Sequence, residues 1–252
     1  MTAVDPAGRF SSRAPYYAAG RAGYPDSVME YLRRDPGLAP HAVVVDVGSG
    51  TGLSAELFLR HGHTVYAVEP NPEMRRVAEE QLRGRPGFHS VEGRAEAAPL
   101  PDQVADLVVC ASAFHWFHPR EARREFRRLL RPGGAVAILR NGRNGKRSPF
   151  MRAYAQLFRR HAARVRDHAN REGSVRDFFA GKPYSTAMLA YEEQLDFEVL
   201  CSRLLSYSTI PLPGDPGHEP MLAELRRLFG AAAQDGRVPF LGEVTLHVGR
   251  LD

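Results

Sequence analysis

The sequence contains little cysteine and has no long apolar run. Its two cysteines, Cys110 and Cys201, are too few for a disulfide framework and lack metal-ligand spacing, which fits a reducing compartment. No apolar run approaches the roughly 18 residues that a membrane-spanning helix needs. Residues 1–10 include charged residues and proline instead of the apolar stretch of a secretion signal. We therefore expect a cytoplasmic protein that does not associate with membranes.

Composition excludes wholesale disorder, and the chain length makes metals unnecessary for stability. The chain has 252 residues, of which 43% are hydrophobic and 25% charged, as in ordinary globular proteins. A chain of this length buries a full core without metals or cross-links, either as one large α/β domain or as two small ones. His61 and His63 have a spacing that metal ligands can have, but no third ligand is nearby, so we predict no metal site.

Lysine is also scarce, and the basic residues are unevenly distributed. Lys146 and Lys182 are the only lysines among 34 basic residues, and the formal net charge is +5. Residues 143–182 contain 11 basic and 3 acidic residues, whereas residues 183–252 contain 5 basic and 10 acidic ones. The basic character is therefore concentrated in one segment, which does not resemble a nucleic-acid-binding surface spread over the whole domain.

Short apolar runs alternate with amphipathic stretches from Ala42 onward, which predicts βα units around a parallel sheet. The predicted strands of this region are 42–47, 63–69, 88–93, 105–111 and 135–139. The pattern weakens after residue 150. There we predict helices at 150–165 and 221–229, strand-like pieces at 197–210 and a terminal strand at 242–249.

A glycine-rich turn follows the first predicted strand and precedes a helix. Gly48, Gly50 and Gly52 would let the backbone approach a nucleotide-like ligand closely. Leu53 stands where the dinucleotide fingerprint has its third glycine. Glu69, at the end of the next strand, is placed to accept hydrogen bonds from ribose hydroxyls. These features alone fit more than one nucleotide cofactor.

Five motifs together resemble class I S-adenosylmethionine-dependent methyltransferases, and within them the small-molecule branch that includes trans-aconitate methyltransferase-like enzymes. The motifs are Val-Val-Asp-Val-Gly-Ser-Gly-Thr-Gly at 44–52, Val-Glu-Pro-Asn at 68–71, Glu-Gly-Arg-Ala-Glu at 92–96 followed by Leu-Pro-Asp at 100–102, Ala-Phe-His-Trp-Phe at 113–117, and Leu-Arg-Pro-Gly-Gly at 130–134. The resemblance extends from about residue 10 to residue 139 and is fainter beyond. It implies an α/β fold with a doubly wound, Rossmann-like, seven-stranded, mostly parallel sheet and a helical lid inserted before the last strands.

The resemblance also implies S-adenosylmethionine as cofactor and assigns residues to it. Glu69 would bind both ribose hydroxyls, and Asp46 would orient the glycine turn or meet the cofactor ammonium through water. Tyr17 or Arg21, in an N-terminal segment that begins near Phe10, would contact the cofactor carboxylate. The remaining assignments are Gly48, Ser49 and Gly50 for the methionine moiety, Pro70, Ala95 and Glu96 for the adenine, and Ala111 and Ser112 beside the sulfonium.

We expect one domain of residues 1–252. Residues 1–41 would cover the cofactor, 42–141 form the cofactor-binding core, 142–190 form a substrate lid, and 191–252 complete the sheet. Basic and aromatic residues of the lid could bind an acidic acceptor, or its arginines could simply face solvent. The residues in question are Tyr154, Arg159, Arg160, His161, Arg164, Arg166, His168 and Tyr184.

Methyl transfer to a small-molecule acceptor, through a carboxylate or a hydroxyl, is the predicted function. A carboxylate needs no base at pH 7, whereas a hydroxyl, amine or carbon acceptor does, and the predicted base is His115 or a tyrosine of the lid. His115 could instead be a packing residue beside Trp116. The alternatives are a cofactor-binding relative that does not methylate and a nucleic-acid methyltransferase. Against the latter, the chain lacks the Asn/Asp-Pro-Pro-Tyr/Phe motif after strand four. The sequence leaves the oligomeric state open.

Overall fold

The fold is built on one seven-stranded mixed sheet. A computed structural model describes residues 13–252 except residues 22, 145–147 and 164–171 and the side chains of residues 172–174. The strands are β1 (Val43–Val47), β2 (Thr64–Val68), β3 (Phe88–Val91), β4 (Ala105–Ala111), β5 (Leu130–Arg143), β6 (Tyr184–Leu195) and β7 (Val238–Gly249). Their order across the sheet is β3-β2-β1-β4-β5-β7-β6. Strands β1 to β5 are parallel, and β7 runs antiparallel to both of its neighbours. The predicted seven-stranded, mostly parallel sheet is confirmed.

Helices flank this sheet, and several begin at recognisable caps. They are α1 (Ala14–Gly20), α2 (Ser27–Arg34), α3 (Leu53–Arg60), α4 (Pro72–Gln81), α5 (Pro119–Leu129), α6 (Pro149–His161), α7 (Glu172–Phe179), α8 (Phe197–Leu205) and α9 (His218–Ala232). The Asn71 side chain accepts a hydrogen bond from the Met74 amide at 3.0 Å, which satisfies a free donor at the start of α4. Within the described ranges, no helix has the length and apolar character to cross a membrane.

The chain connectivity creates a crevice next to β1. The chain fills the sheet from β1 outward to β3, and then crosses to the other side of β1 to place β4 and β5. Loops that leave the carboxyl ends of β1 and β4 therefore diverge, and ligands of doubly wound sheets bind at this point. Valine and leucine residues of the central strands are buried on both faces of the sheet, which holds these strand ends in a rigid frame.

Two predictions for the C-terminal half are wrong. Residues 197–210, predicted to contain strand-like pieces, begin with helix α8, because Asp196 caps it by accepting a hydrogen bond from the Val199 amide at 2.9 Å. The neighbouring strand β6 begins at Tyr184, inside the segment 142–190 that was predicted to be a lid. Its Ala, Met, Leu, Glu and Gln residues favour helices locally, and pairing along its whole length with β7 overrides that preference.

Close packing of α1 on α8 gives a first testable prediction. A Cβ atom on Gly20 would lie 2.1 Å from the backbone nitrogen of Arg203. Because backbone cannot yield as a flexible side chain does, Gly20→Ala should push α1 away from α8 and lower the free energy of unfolding by about 1–3 kcal/mol. Urea unfolding measures this change.

Gly230→Ala provides the matched control for Gly20→Ala. Gly230 also lies in a helix, α9, and nothing stands within 4 Å of its added Cβ. This substitution should stabilise the protein by about 0.5–1 kcal/mol, because alanine is the better helix former. Equal effects of the two substitutions would contradict the close packing of α1 on α8.

Candidate functional site

A cavity of about 310 Å³ lies at the carboxyl ends of the central strands. The turn after β1, the end of β2, the loop at 94–96, the end of β4 and the C-terminal end of α1 all contribute to its wall. The lining residues are Tyr17, Arg21, Tyr24, Gly48, Ser49, Gly50, Thr51, Leu53, Ser54, Glu69, Pro70, Asn71, Met74, Arg94, Ala95, Glu96, Ala111, Ser112, Ala113, Trp116, Phe117, His118 and Asn141. This is the crevice that the sheet topology predicts for a ligand.

The Glu69 carboxylate joins the two loops on one side of the cavity. Its side chain accepts hydrogen bonds from the backbone amides of Gly50 and Asn71, both at 2.9 Å. Glu69 is only 8% exposed. A carboxylate has about four acceptor positions, so each oxygen keeps capacity for one further donor. The arrangement can hold two neighbouring hydroxyl groups of a ligand at the glycine turn.

A second carboxyl group, that of Asp46, lies behind the glycine turn. Burial raises the pKa of Asp46 to about 7, and the negative charge of the nearby Glu69 adds to this increase. A hydrogen bond from Ser54 lowers the pKa and offsets part of it. The Ser54 hydroxyl donates to Asp46 Oδ2 at 2.6 Å, which ties β1 to α3. Burial likewise raises the pKa of Glu69. Two carboxyl groups with raised pKa values therefore face the same turn.

The ionisation of Asp46 gives a pH-dependent prediction. The pKa of Asp46 is raised by folding, so its contribution to stability is present below its ordinary pKa of 3.8 and is lost as the pH rises through about 7. An ammonium-bearing ligand favours the ionised form. Affinity for S-adenosylhomocysteine should therefore fall by up to about tenfold per pH unit below pH 7, where the ligand's own amino group stays protonated.

Calorimetric titration from pH 5.5 to 8.5 measures this effect, and Asp46→Asn is the control because it removes the titrating group. The variant should show a flatter pH dependence and weaker binding at pH 8. A profile identical to that of the unchanged protein would assign the pH dependence to another group.

Eleven of the twelve residues predicted to bind the cofactor line the cavity. They are Tyr17, Arg21, Gly48, Ser49, Gly50, Glu69, Pro70, Ala95, Glu96, Ala111 and Ser112. Asp46, the twelfth, is fully buried behind the cavity wall and contacts Ser54. Of its two predicted roles, this position fits the one in which Asp46 orients the glycine turn. Their roles toward a cofactor stay predictions.

His115 is the predicted residue whose position needs correction. It is exposed and does not line the cavity, and its ring lies 4.8 Å from that of Trp116. The cause is the 3₁₀ turn at Phe114–Trp116, where successive side chains point about 120° apart. Phe114 is buried in the core and Trp116 faces the cavity, which leaves His115 facing outward. His118 is the histidine on the cavity wall.

The predicted lid residues that the structure describes do not line this cavity. Arg159 is exposed, whereas Arg160 forms an ion pair and His161 a hydrogen bond with Glu224 on α9. The ring of Tyr184 stacks on that of Phe179, with 4.8 Å between the ring centres. Tyr154, a residue of α6, is fully buried. Phe10, Arg164, Arg166 and His168 lie outside the described residues.

Sequence reasoning assigned no contact to several wall residues, of which Tyr24, in the predicted cofactor-covering segment, and Asn141 matter most. The hydroxyls of Tyr24 and Ser112 are hydrogen-bonded at 3.2 Å, and the backbone N–H of Asn141 donates to the Ser112 hydroxyl at 3.2 Å. Asn141 follows the predicted strand 135–139 by two residues. Because ligands bind at the carboxyl ends of parallel strands, that position alone could have identified it.

The sheet order and the cavity at its switch point define an α/β protein with a cavity where doubly wound folds bind their ligands. Residues 45–138 match the family model described as a methyltransferase domain. An uncharacterized methyltransferase of Mycobacterium tuberculosis is 35% identical over 158 residues, which are 63% of this chain and 62% of that protein. An uncharacterized methyltransferase-like protein of Schizosaccharomyces pombe is 31% identical over 136 residues, 54% of this chain and 52% of that protein. The chain thus spans less than two thirds of the length of these curated relatives.

Solved structures of methyltransferases have the same fold. A structure from Anaeromyxobacter dehalogenans, provisionally described as a type II methyltransferase, aligns with a TM-score of 0.66 at 21% identity and covers 92% of this chain and 98% of its own. A SAM-dependent methyltransferase from Aquifex aeolicus aligns with a TM-score of 0.53 at 16% identity over 97% of this chain and 99% of its own. The chain therefore has the α/β fold of these solved methyltransferases, and the match to the methyltransferase-domain family is confined to residues 45–138. Its narrower resemblance to the trans-aconitate branch stays a prediction.

Proposed function

We propose that this protein transfers the methyl group of S-adenosylmethionine to a small-molecule acceptor, through a carboxylate or a hydroxyl. The observation that carries the proposal is the buried Glu69 carboxylate, which holds the glycine turn and the start of α4 and keeps acceptor capacity toward the cavity. A vicinal diol such as the cofactor's ribose matches those two oxygens by charge-assisted hydrogen bonds.

The cavity also fits the rest of such a cofactor. Its volume of about 310 Å³ is within the range of small-molecule sites. The backbone of Gly48, Ser49 and Gly50 would hold the methionine moiety, because positive φ values of 68° and 58° at the two glycines leave open backbone facing the ligand. The adenine would lie between Pro70 and the Ala95–Glu96 backbone. When bound, the cofactor supplies a methyl group already activated by its sulfonium.

The chain's own contribution to catalysis is then mainly positioning. Tyr17, Tyr24 and Trp116 enclose the cavity, exclude water and hold the acceptor close to the methyl carbon. A carboxylate acceptor is ionised at pH 7 and needs no proton transfer. For a hydroxyl acceptor, His118 is the wall residue that can accept the proton, in place of the outward-facing His115.

We also propose that residues 1–252 act as one domain. The Arg13 guanidinium donates to the carbonyl oxygens of Leu205 at 2.6 Å and Ile210 at 2.7 Å. These buried contacts tie the N-terminal segment, which covers the cavity, to the C-terminal part of the fold. A division into independent N- and C-terminal units would break them.

A transfer assay with methyl-labelled S-adenosylmethionine tests the proposed function. The protein is incubated with a cell extract of its source organism that has been separated by size into small-molecule and macromolecular fractions. We expect label in the small-molecule fraction. Label in nucleic acid or protein would contradict a small acceptor, and cofactor binding without transfer to any fraction would identify a relative that does not methylate.

A further inference from the structure

A second, smaller cavity adjoins the main one. Arg21 and Asn141 line both cavities, and Arg143, Arg203 and Tyr207 are further wall residues of the smaller one. Its volume of about 10 Å³ is the room that one water-sized group occupies. An acceptor molecule in the main cavity could therefore extend one small functional group past Arg21 and Asn141.

Two buried polar atoms beside this second cavity have no hydrogen-bond partner among the described residues. They are Nη1 of Arg143 and the hydroxyl of Tyr154. Tyr154 is fully buried, and its ring packs 5.5 Å from that of Phe240, another wall residue. A buried donor without a hydrogen-bond partner lowers the stability of the fold. Two such donors close together are therefore expected where a ligand accepts their hydrogen bonds.

The wall of the second cavity carries more positive charge than the neighbouring carboxylates neutralise. Glu193 neutralises Arg203 through two hydrogen bonds of 2.6 and 3.0 Å. The Nε–H group of Arg21 donates a hydrogen bond to the neutral hydroxyl of Ser206. Among the described residues, no carboxylate forms an ion pair with Arg21 or Arg143. Two guanidinium charges thus remain uncompensated. An anion at this position would interact favourably with both.

Aromatic rings fix these two guanidinium groups in place. The Tyr207 ring lies 4.1 Å from the Arg21 guanidinium carbon and 4.5 Å from that of Arg143. Phe158 contacts Arg143 as well, at 3.7 Å. Stacking of this kind orients a planar guanidinium in advance, which lowers the entropy cost of binding a planar anion.

We infer that the acceptor carries a carboxylate that is bound here by Arg143, the Tyr154 hydroxyl and Arg21, and that this carboxylate anchors the molecule without being the methylated group. Of the two residues predicted to contact the cofactor carboxylate, Tyr17 then has that role and Arg21 belongs to the acceptor. A carboxylate whose oxygens are held by guanidinium donors is a poor nucleophile, so the atom that accepts the methyl group lies elsewhere, in the main cavity. The room for one water-sized group admits a single carboxylate oxygen, with the rest of the group toward Arg21 and Asn141, and is too small for a tetrahedral phosphate. This inference rests on the proposed function and names the chemistry of its acceptor.

Thermal unfolding with small anions tests the anchor site without the natural acceptor. The protein is saturated with S-adenosylhomocysteine, whose binding is established first by calorimetry, and is then titrated with acetate at constant ionic strength. Acetamide serves as the neutral probe of the same shape, and inorganic phosphate as the alternative anion. We expect acetate to raise the melting temperature, acetamide to leave it unchanged, and phosphate to raise it less than acetate.

Three variants locate the effect. Arg143→Gln and Tyr154→Phe should each weaken the apparent acetate affinity at least tenfold, and the second variant remains informative if the first does not fold. Arg159→Gln removes an exposed arginine from α6 and is the matched control, with acetate affinity unchanged.

The possible failures are distinguishable. Absence of S-adenosylhomocysteine binding would overturn the proposed function. Cofactor binding with no stabilisation by acetate, or with equal stabilisation in Arg143→Gln and Arg159→Gln, would overturn the anchor site alone. Stronger stabilisation by phosphate than by acetate would overturn the assignment of a carboxylate.

Discussion

Glu69→Ala should weaken the binding of S-adenosylhomocysteine by at least about 100-fold. The substitution removes two charge-assisted hydrogen bonds to the ribose, each contributing about 1.5–3 kcal/mol, and a loss of about 3 kcal/mol corresponds to a factor of more than 100. It also leaves the amides of Gly50 and Asn71 without their acceptor, so both loops lose their common support. Calorimetric titration measures the affinity, and circular dichroism verifies that the variant folds.

Glu92→Ala is the control for the Glu69 variant. Glu92 is an exposed residue that pairs with Arg75 at 2.8 Å, and Arg75 also donates to the backbone oxygen of Glu69. The control therefore removes a carboxylate from the same neighbourhood without touching the cavity. Its cofactor affinity should stay within about twofold, since exposed ion pairs contribute little. Unchanged affinity in Glu69→Ala would contradict the assigned site.

Gly48→Ala should reduce cofactor affinity at least about tenfold and destabilise the fold. Gly48 has a φ of +68°, and a Cβ atom there would lie 2.6 Å from Cβ of Ala113 and 3.1 Å from the Phe117 ring. The left-handed conformation costs a non-glycine residue about 1–2 kcal/mol. In addition, the segment after β4 must move, and this segment forms one wall of the cavity. Calorimetry measures the affinity and urea unfolding the stability.

Gly84→Ala separates these two effects. Gly84 also has a positive φ, +74°, but nothing lies within 4 Å of an added Cβ, and it is not a wall residue. We expect a stability loss of about 1 kcal/mol from backbone strain, with cofactor affinity unchanged. If Gly48→Ala binds the cofactor as well as Gly84→Ala does, the close packing of the glycine turn on the wall has no functional consequence.

The cofactor half of the molecule was predictable from the sequence because its signals are local. Each central strand is a short β-branched or apolar run, and each is followed by a glycine, a capping residue or a proline that determines where the next helix starts. Asn71 illustrates this, since its capping role follows from residue type and the proline after it. Parallel strands have their carboxyl ends at the same edge of the sheet, so the motifs that follow different strands contribute residues to one cavity.

The acceptor side was not predictable because long-range contacts determine it. Strand β6 depends on its pairing with β7, and its composition alone favours a helix. The orientation of His115 depends on a single 3₁₀ turn, Phe114–Trp116. Arg143 and Tyr154 belong to the predicted basic segment, but their meeting with Arg21 requires α1, α6 and α8 to pack together.

A crystal structure of the complex with S-adenosylhomocysteine tests the central claim most directly. We predict that both ribose hydroxyls donate to the Glu69 carboxylate, that the adenine lies against Pro70, and that the homocysteine moiety contacts the backbone of Gly48–Gly50. A ligand bound elsewhere, or a ribose that does not contact Glu69 at full occupancy, would contradict the assigned cofactor site.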